Sequence, residues 1–228
     1  MGRRKDCADY EWETVKHLLR SLTPWCTFHL LISEYLKTKY MYTCLLHYFY
    51  IIETCSYIVV NSNTYLLIIV LYQPLCFKLF GIFRSKLVIW LCAVLNLILL
   101  HYFKEAAFDE RSLNVFGISE KQHFATVLAV YWVNLRCISY CLDQINSDKD
   151  IVGILAYCLY LPLLYTGPII LYDDFQKSRY HSITLAKRIE TLFFNILRFV
   201  FWYLVTEFLL HFIYVNAISF QPSVSKYF

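Results

Sequence analysis

Charge is scarce in this chain, at 17% of 228 residues, and Gly and Pro number only five each. A water-soluble domain of this length would carry more charge and would not need 59% apolar and 19% aromatic residues. Metal-type spacing is missing too. The nine cysteines contain no Cys-x-x-Cys and are scattered, mostly inside apolar runs, so they read as reduced, buried small hydrophobes. Cys137 and Cys141 share a helix face at i, i+4, a spacing that suits packing better than ligation. Cys7 and Cys76 lie near Lys or Arg, which leaves S-palmitoylation open. No Asn-x-Ser/Thr acceptor, internal repeat or low-complexity tract occurs. The net charge of +4 is spread out, and the lack of a basic stripe excludes a nucleic-acid partner. Residues Met1 to Glu13 are charged and have no short apolar core before small residues, so insertion is expected to rest on membrane helices rather than a cleaved signal peptide.

What the chain does have is long apolar runs: Tyr40 to Val60, Thr64 to Phe83, Leu87 to Phe103, Phe124 to Leu142, Ile151 to Tyr172, and Leu192 to Ile218. About 20 apolar residues in a helix cross a hydrocarbon core of roughly 30 Å. Ahead of them, Ala8, Trp12, Val15, Leu19 and Leu22 mark one apolar face, opposite Glu11, Glu13, Lys16, His17 and Arg20. Asp9 is placed to cap this helix, and its acidic first turn suits the helix dipole. It is expected to lie in the membrane interface. Thr23 and Pro24 then read as an N-cap and first helical residue of a new helix toward Leu36. That stretch is only about 20 Å long at 1.5 Å per residue, so its depth stays undecided. The expected fold is an all-α polytopic membrane protein of about six to seven helices, with an N-terminal amphipathic helix and a Pro/Gly-broken or re-entrant element. The expected divisions are an interfacial segment at 1–23, a transmembrane domain at 24–218 and a tail at 219–228.

Basic residues collect on the cytosolic side, and Lys37/Lys39 and Lys78/Arg84/Lys86 agree with each other two crossings apart. Simple alternation would then place the acidic turn Asp143 to Asp150 in the cytosol, and the basic residues Lys177, Arg179, Lys187 and Arg188 in the lumen. Either a run between Leu87 and Leu142 fails to cross, or the charge bias is weak here.

Within the fifth run lies Tyr160 to Phe175, YLPLLYTGPIILYDDF. Pro162 and Pro168 each remove a backbone donor, and Gly167 permits a bend where the Pro168 ring would meet the preceding turn. A break at membrane depth needs protein or a water-lined cavity to satisfy the freed carbonyls. It is read either as a substrate path or as a kink that shapes packing. Intramembrane charges are the other candidates. Arg136 costs about 2.5 to 3.5 kcal/mol near a helix centre, so it should face the interior, paired with Asp143 or with a phosphate. Glu207 and His211 project from one helix face and form a candidate polar pair, read as structural more than catalytic. Glu53, His47 and His101 carry weaker signals that snorkelling or interhelical hydrogen bonds explain.

Pro162, Gly167-Pro168-Ile169 and Tyr172-Asp-Asp-Phe175 together resemble the Gly-Pro-Ile segment of the membrane-bound O-acyltransferases. Lys5 to Trp12 (KDCADYEW), Phe83 to Cys92 (FRSKLVIWLC), Leu135 to Tyr140 (LRCISY) and Thr206 to Ile218 (TEFLLHFIYVNAI) resemble the Hedgehog acyltransferase branch, in the same order. The resemblance covers nearly the whole chain. It implies an enzyme of the endoplasmic reticulum or Golgi membrane that moves palmitate from palmitoyl-CoA to the N-terminal cysteine of secreted Hedgehog-type proteins. No cofactor is implied beyond palmitoyl-CoA as acyl donor; membrane lipids and the acceptor are the partners. Arg136, Tyr165, Thr166, Gly167, Pro168 and Asp174 become the candidates for the acyl-CoA path. The family's general-base His and its Asp are expected in a segment past Phe228, so no catalytic residue is assigned here and these 228 residues alone are expected to be inactive. The alternative is a non-catalytic relative that binds lipid, acyl-CoA or a full-length partner.

Overall fold

The computed structural model describes residues 10–39, 43–62, 64–107, 119–145, 150–167, 170–177 and 185–210. Asp9, Pro168, His211 and the tail at 219–228 lie outside them. Helices and short helical turns make up the described elements, with no strand among them. They are α1 (Tyr10–Lys39), α2 (Thr43–Asn61), α3 (Thr64–Phe80), α4 (Lys86–Ala107), α5 (Glu120–Asp143), α6 (Ile151–Cys158), α7 (Tyr172–Lys177) and α8 (Leu185–Leu204). Chain contacts divide the protein into a unit of residues 18–180 and a unit of residues 1–17 and 181–228.

Four stretches are long and apolar enough to cross a membrane: Cys44–Asn61, Leu66–Phe83, Lys121–Asp143 and Ile189–Leu209. A shorter apolar stretch, Lys86–Tyr102, lies in α4. Five of the six expected runs therefore become helices. In the unit of residues 18–180 apolar side chains face outward as well as inward, and polar groups are buried within the apolar core. Ile52, Val60, Ile68, Leu79, Leu91 and Leu95 point outward, whereas His29, Glu53, Thr54, Gln73, Asn96, Asn134 and Arg136 are buried. Lipid solvates the first set, so the inside is where polar groups can find partners.

Local chemistry sets the helix ends. Ser119 and Gln122 form a reciprocal capping box that starts α5 four residues ahead of the expected run. Asp150 caps α6 by accepting from Val152 N at 3.1 Å and Gly153 N at 2.9 Å. Arg84, in the left-handed region at φ 49°, closes the turn after α3.

Two expectations need correction. No new helix starts at Pro24, which lies inside the continuous α1. Pro24 removes the donor for the Arg20 carbonyl, and both residues are exposed, so the lost bond falls on an unpacked face. The second correction concerns the fifth run. At eight residues α6 is about 12 Å long, less than half of a roughly 30 Å core.

After α6 the chain turns back. Tyr140 donates to the Asp150 carbonyl at 3.1 Å and its ring meets that of Tyr172 at 4.5 Å, so the start and the end of the segment share one level of α5. Tyr157 donates to the Ile170 carbonyl at 2.5 Å, tying the two arms together. The turn itself lies beside Arg136 and Trp132, one to two turns further along α5. Residues 150–167 and 170–172 therefore form the two arms of a re-entrant hairpin reaching about 12 Å inward. Between Leu87 and Leu142, by contrast, α4 and α5 are full helices of 22 and 24 residues. A non-crossing element thus lies in the fifth run, while the apolar stretch of α4, Lys86–Tyr102, is itself shorter than the four that are long enough to cross. The hairpin returns the chain at Tyr172 to the end of α5 that bears Asp143.

In the other unit, the Trp12 ring packs on Tyr203 at 5.7 Å and its Nε1 donates to Glu207 Oε2 at 2.6 Å. Lys16, assigned by sequence to the polar face, is buried instead because it pairs with Glu13 and, at 3.4 Å, with Glu207. Its hydrogen bond to Glu13 raises its pKa above the usual lysine value.

Candidate functional site

A broken helix leaves carbonyls without donors, and the hairpin can be followed by asking where each one goes. In an unbroken helix the Cys158 carbonyl would accept from residue 162. That residue is Pro162, which has no N–H. Arg136 Nη1 supplies the missing donor at 3.1 Å, and its Nη2 donates to the carbonyl of Leu163. Cys158 is the last residue of α6 and Leu163 ends the short 3-10 turn Leu161–Leu163. The guanidinium thus lies at the negative ends of two helical segments, which compensates its charge in the membrane interior.

Side chains serve two more carbonyls. Thr54 of α2 donates to Leu159 O at 2.5 Å, and Thr166 donates to Pro162 O at 3.1 Å. Within the turn, Leu163 N reaches Tyr160 O and Leu164 N reaches Leu161 O, both at 3.1 Å. Gly167 then takes φ 57°, and a Cβ there would lie 2.7 Å from Trp132 Cζ2 and Cη2. Only glycine satisfies both the left-handed backbone and that approach. Aromatic rings close the base: Phe175 packs on Tyr157 at 5.4 Å, Tyr160 at 5.5 Å and Tyr50 at 6.3 Å.

The structure gathers Arg136, Tyr165 and Gly167 at the buried end of the hairpin, where Tyr165 packs edge-on against Tyr57 at 5.8 Å. Thr166 is exposed. Asp174 does not join them: it is exposed on α7, 3.9 Å from Lys177. Pro168 lies outside the described residues. Asp143 accepts from Ser139 at 3.4 Å, and among the described residues no carboxylate reaches Arg136. Its two visible partners are backbone carbonyls, which neither sequence alternative named. Glu207 is held by Trp12 and Lys16, and its expected partner His211 is not among the described residues.

Sequence reasoning passed over one buried pair. His29 of α1 and Glu53 of α2 are joined through Nδ1 and Oε2 with both side chains 1% exposed. Their signal was two ionisable residues in successive apolar segments, 24 positions apart, a separation that no fixed helical spacing reveals.

No protein-family model matches the chain. The membrane-bound O-acyltransferase GUP1 of Millerozyma farinosa is 43% identical over 74 residues, 32% of this chain and 15% of that protein. The membrane-bound O-acyltransferase gup1 of Schizosaccharomyces pombe is 34% identical over 87 residues, covering 38% and 14%. The protein-cysteine N-palmitoyltransferase Rasp of Drosophila melanogaster is 21% identical over 226 residues, 95% of this chain and 43% of that protein. The chain spans less than half the length of each of these relatives. Their similarity supports a membrane acyltransferase of the membrane-bound O-acyltransferase superfamily and does not single out its Hedgehog branch.

Proposed function

We propose that this chain forms the acyl-handling part of a membrane palmitoyltransferase that uses palmitoyl-CoA to modify the N-terminal cysteine of secreted Hedgehog-type proteins. The observation that carries this reading is the hairpin at Gly167, held in the membrane interior by Arg136, in a chain similar to Rasp along 95% of its length. A 16-carbon chain extends about 20 Å, so an acyl tail lying among apolar helices fits a core of roughly 30 Å. The donor would arrive from the cytosol and the acceptor would wait in the lumen of the endoplasmic reticulum or Golgi. A second reading is transfer to a hydroxyl acceptor, favoured by the higher identity to GUP1 over 74 residues.

The test uses membranes containing this chain, a photoreactive palmitoyl-CoA, and two acceptor peptides, one with an N-terminal cysteine and one with a hydroxyl in its place. Photolabelling within residues 150–177 that excess palmitoyl-CoA competes away is the expected result. The acceptor arm uses the chain joined to the segment that carries the general-base His: hydroxylamine-resistant amide product supports the palmitoyltransferase, ester product supports the second reading, and donor binding without either supports a non-catalytic relative. Absence of competed labelling overturns the acyl-handling role.

A further inference from the structure

The apolar helix α8 carries one polar stripe. At about 100° per residue, Lys187, Thr191, Asn195 and Arg198 fall within about 80° of one another around the axis, and all four are exposed. Leu192, Phe193, Ile196, Leu197, Val200 and Leu204 occupy the rest of the surface, which suits lipid. Thr191 is satisfied within the helix, donating to the Lys187 carbonyl at 2.8 Å. Asn195 and Arg198 are not: among the described residues neither side chain has a hydrogen bond or an ion pair.

Depth makes this costly. Arg198 lies near the middle of Ile189–Leu209, about 14 Å from one end and about 17 Å from the other at 1.5 Å per residue, and no residue of that stretch is buried. A guanidinium so far from either surface cannot snorkel to water or to lipid phosphate, so it belongs against protein. The carboxylates of the same stretch do not serve it. Glu190 and Glu207 are about 12 Å or more away along the axis, and Glu207 is held by Trp12 and Lys16. The Trp12 ring packs on Tyr203, about 120° round the helix from the stripe, and so leaves the stripe open.

We propose that the Asn195 and Arg198 face of α8 docks a further membrane helix, one that presents a carboxylate at the level of Arg198. Charge complementarity selects this occupant. A second copy would set Arg198 against Arg198, and a wholly apolar helix would leave the guanidinium unpaired. A carboxylate has oxygens enough to accept from the guanidinium and from the Asn195 amide, one turn away. The inference is independent of acyl transfer.

The test uses the whole chain in nanodiscs and two synthetic polyleucine membrane peptides, one with a central glutamate and one with leucine there. Each carries a photoreactive leucine one turn from its centre. The glutamate peptide should be captured within residues 191–202 about tenfold more than the leucine peptide. Arg198→Met should abolish that preference and Arg198→Lys should keep it, which separates lost charge from a misfolded chain. Equal capture of the two peptides by the unaltered chain, as a stripe covered by a second copy or lying among headgroups would give, overturns the proposal. So does capture of the glutamate peptide outside residues 191–202, or a preference that survives Arg198→Met or is lost in Arg198→Lys.

Discussion

Replacing Gly167 by alanine attacks the hairpin at its tightest point. The left-handed backbone at φ 57° costs a residue with a Cβ about 1 to 2 kcal/mol. A methyl at 2.7 Å from two indole carbons of Trp132 adds an overpacking cost of about 1 to 3 kcal/mol. The expected destabilisation is about 2 to 5 kcal/mol, and its two parts are separable. Trp132→Leu removes both clashing atoms but leaves the backbone requirement, so in that background Gly167→Ala should cost only about 1 to 2 kcal/mol. The assay is equilibrium unfolding of the four members of this cycle in mixed SDS–lipid micelles. Gly153→Ala is the control: its Cβ would lie 3.2 Å from Asp150 Oδ2 and 3.3 Å from the Tyr172 hydroxyl, on ordinary helical backbone. Alanine's helix propensity, about 1 kcal/mol better than glycine's, offsets that crowding, and little net change is expected. Additivity of Gly167→Ala and Trp132→Leu to within about 0.5 kcal/mol would refute the steric argument.

Three further outcomes follow from the same geometry. Arg136→Lys keeps the charge but cannot span two carbonyls, which loses one charge-assisted bond of about 1.5 to 3 kcal/mol; amide hydrogen exchange across 158–167 should speed up roughly ten- to hundredfold, and unchanged exchange would count against the lock. Thr54→Val, close in shape, leaves the Leu159 carbonyl unserved and should lower stability by about 1 kcal/mol in the same unfolding assay, with no change if the 2.5 Å bond is not formed. Lys16 has a raised pKa in the folded protein, so its pairing with Glu13 and Glu207 stabilises fully below the ordinary lysine value of 10.5. That contribution is lost as pH rises through the higher folded value. Trp12 fluorescence during thermal unfolding should therefore report a loss in strongly alkaline buffer that Lys16→Met removes.

The sequence revealed the membrane helices because run length against bilayer thickness leaves few alternatives, and it located the break because Pro162 and Gly167 act on their own backbone. It misjudged what long-range packing decides. Pro24 was read as a helix start, since the sequence does not say that its lost bond falls on an exposed face. Arg136 was weighed against Asp143 or a phosphate because residue types advertise charges, whereas its partners are carbonyls 22 and 27 positions away. The same blindness hid His29 as the interhelical partner of Glu53. Charge balance alone leaves open a run between Leu87 and Leu142 that fails to cross or a weak bias, and neither points to the next run, whose prolines and glycine build the hairpin.

The hairpin's carbonyls are served by Arg136 and Thr54, residues that precede it in the chain. This sets an order of assembly. Lipid alone cannot host residues 159–167, because nothing in hydrocarbon would replace those donors. During synthesis α2 and α5 must already be in place when the hairpin emerges, because each supplies one of its donors. A lesion in either earlier helix would therefore surface first as a quality-control fault in a segment whose own sequence is intact.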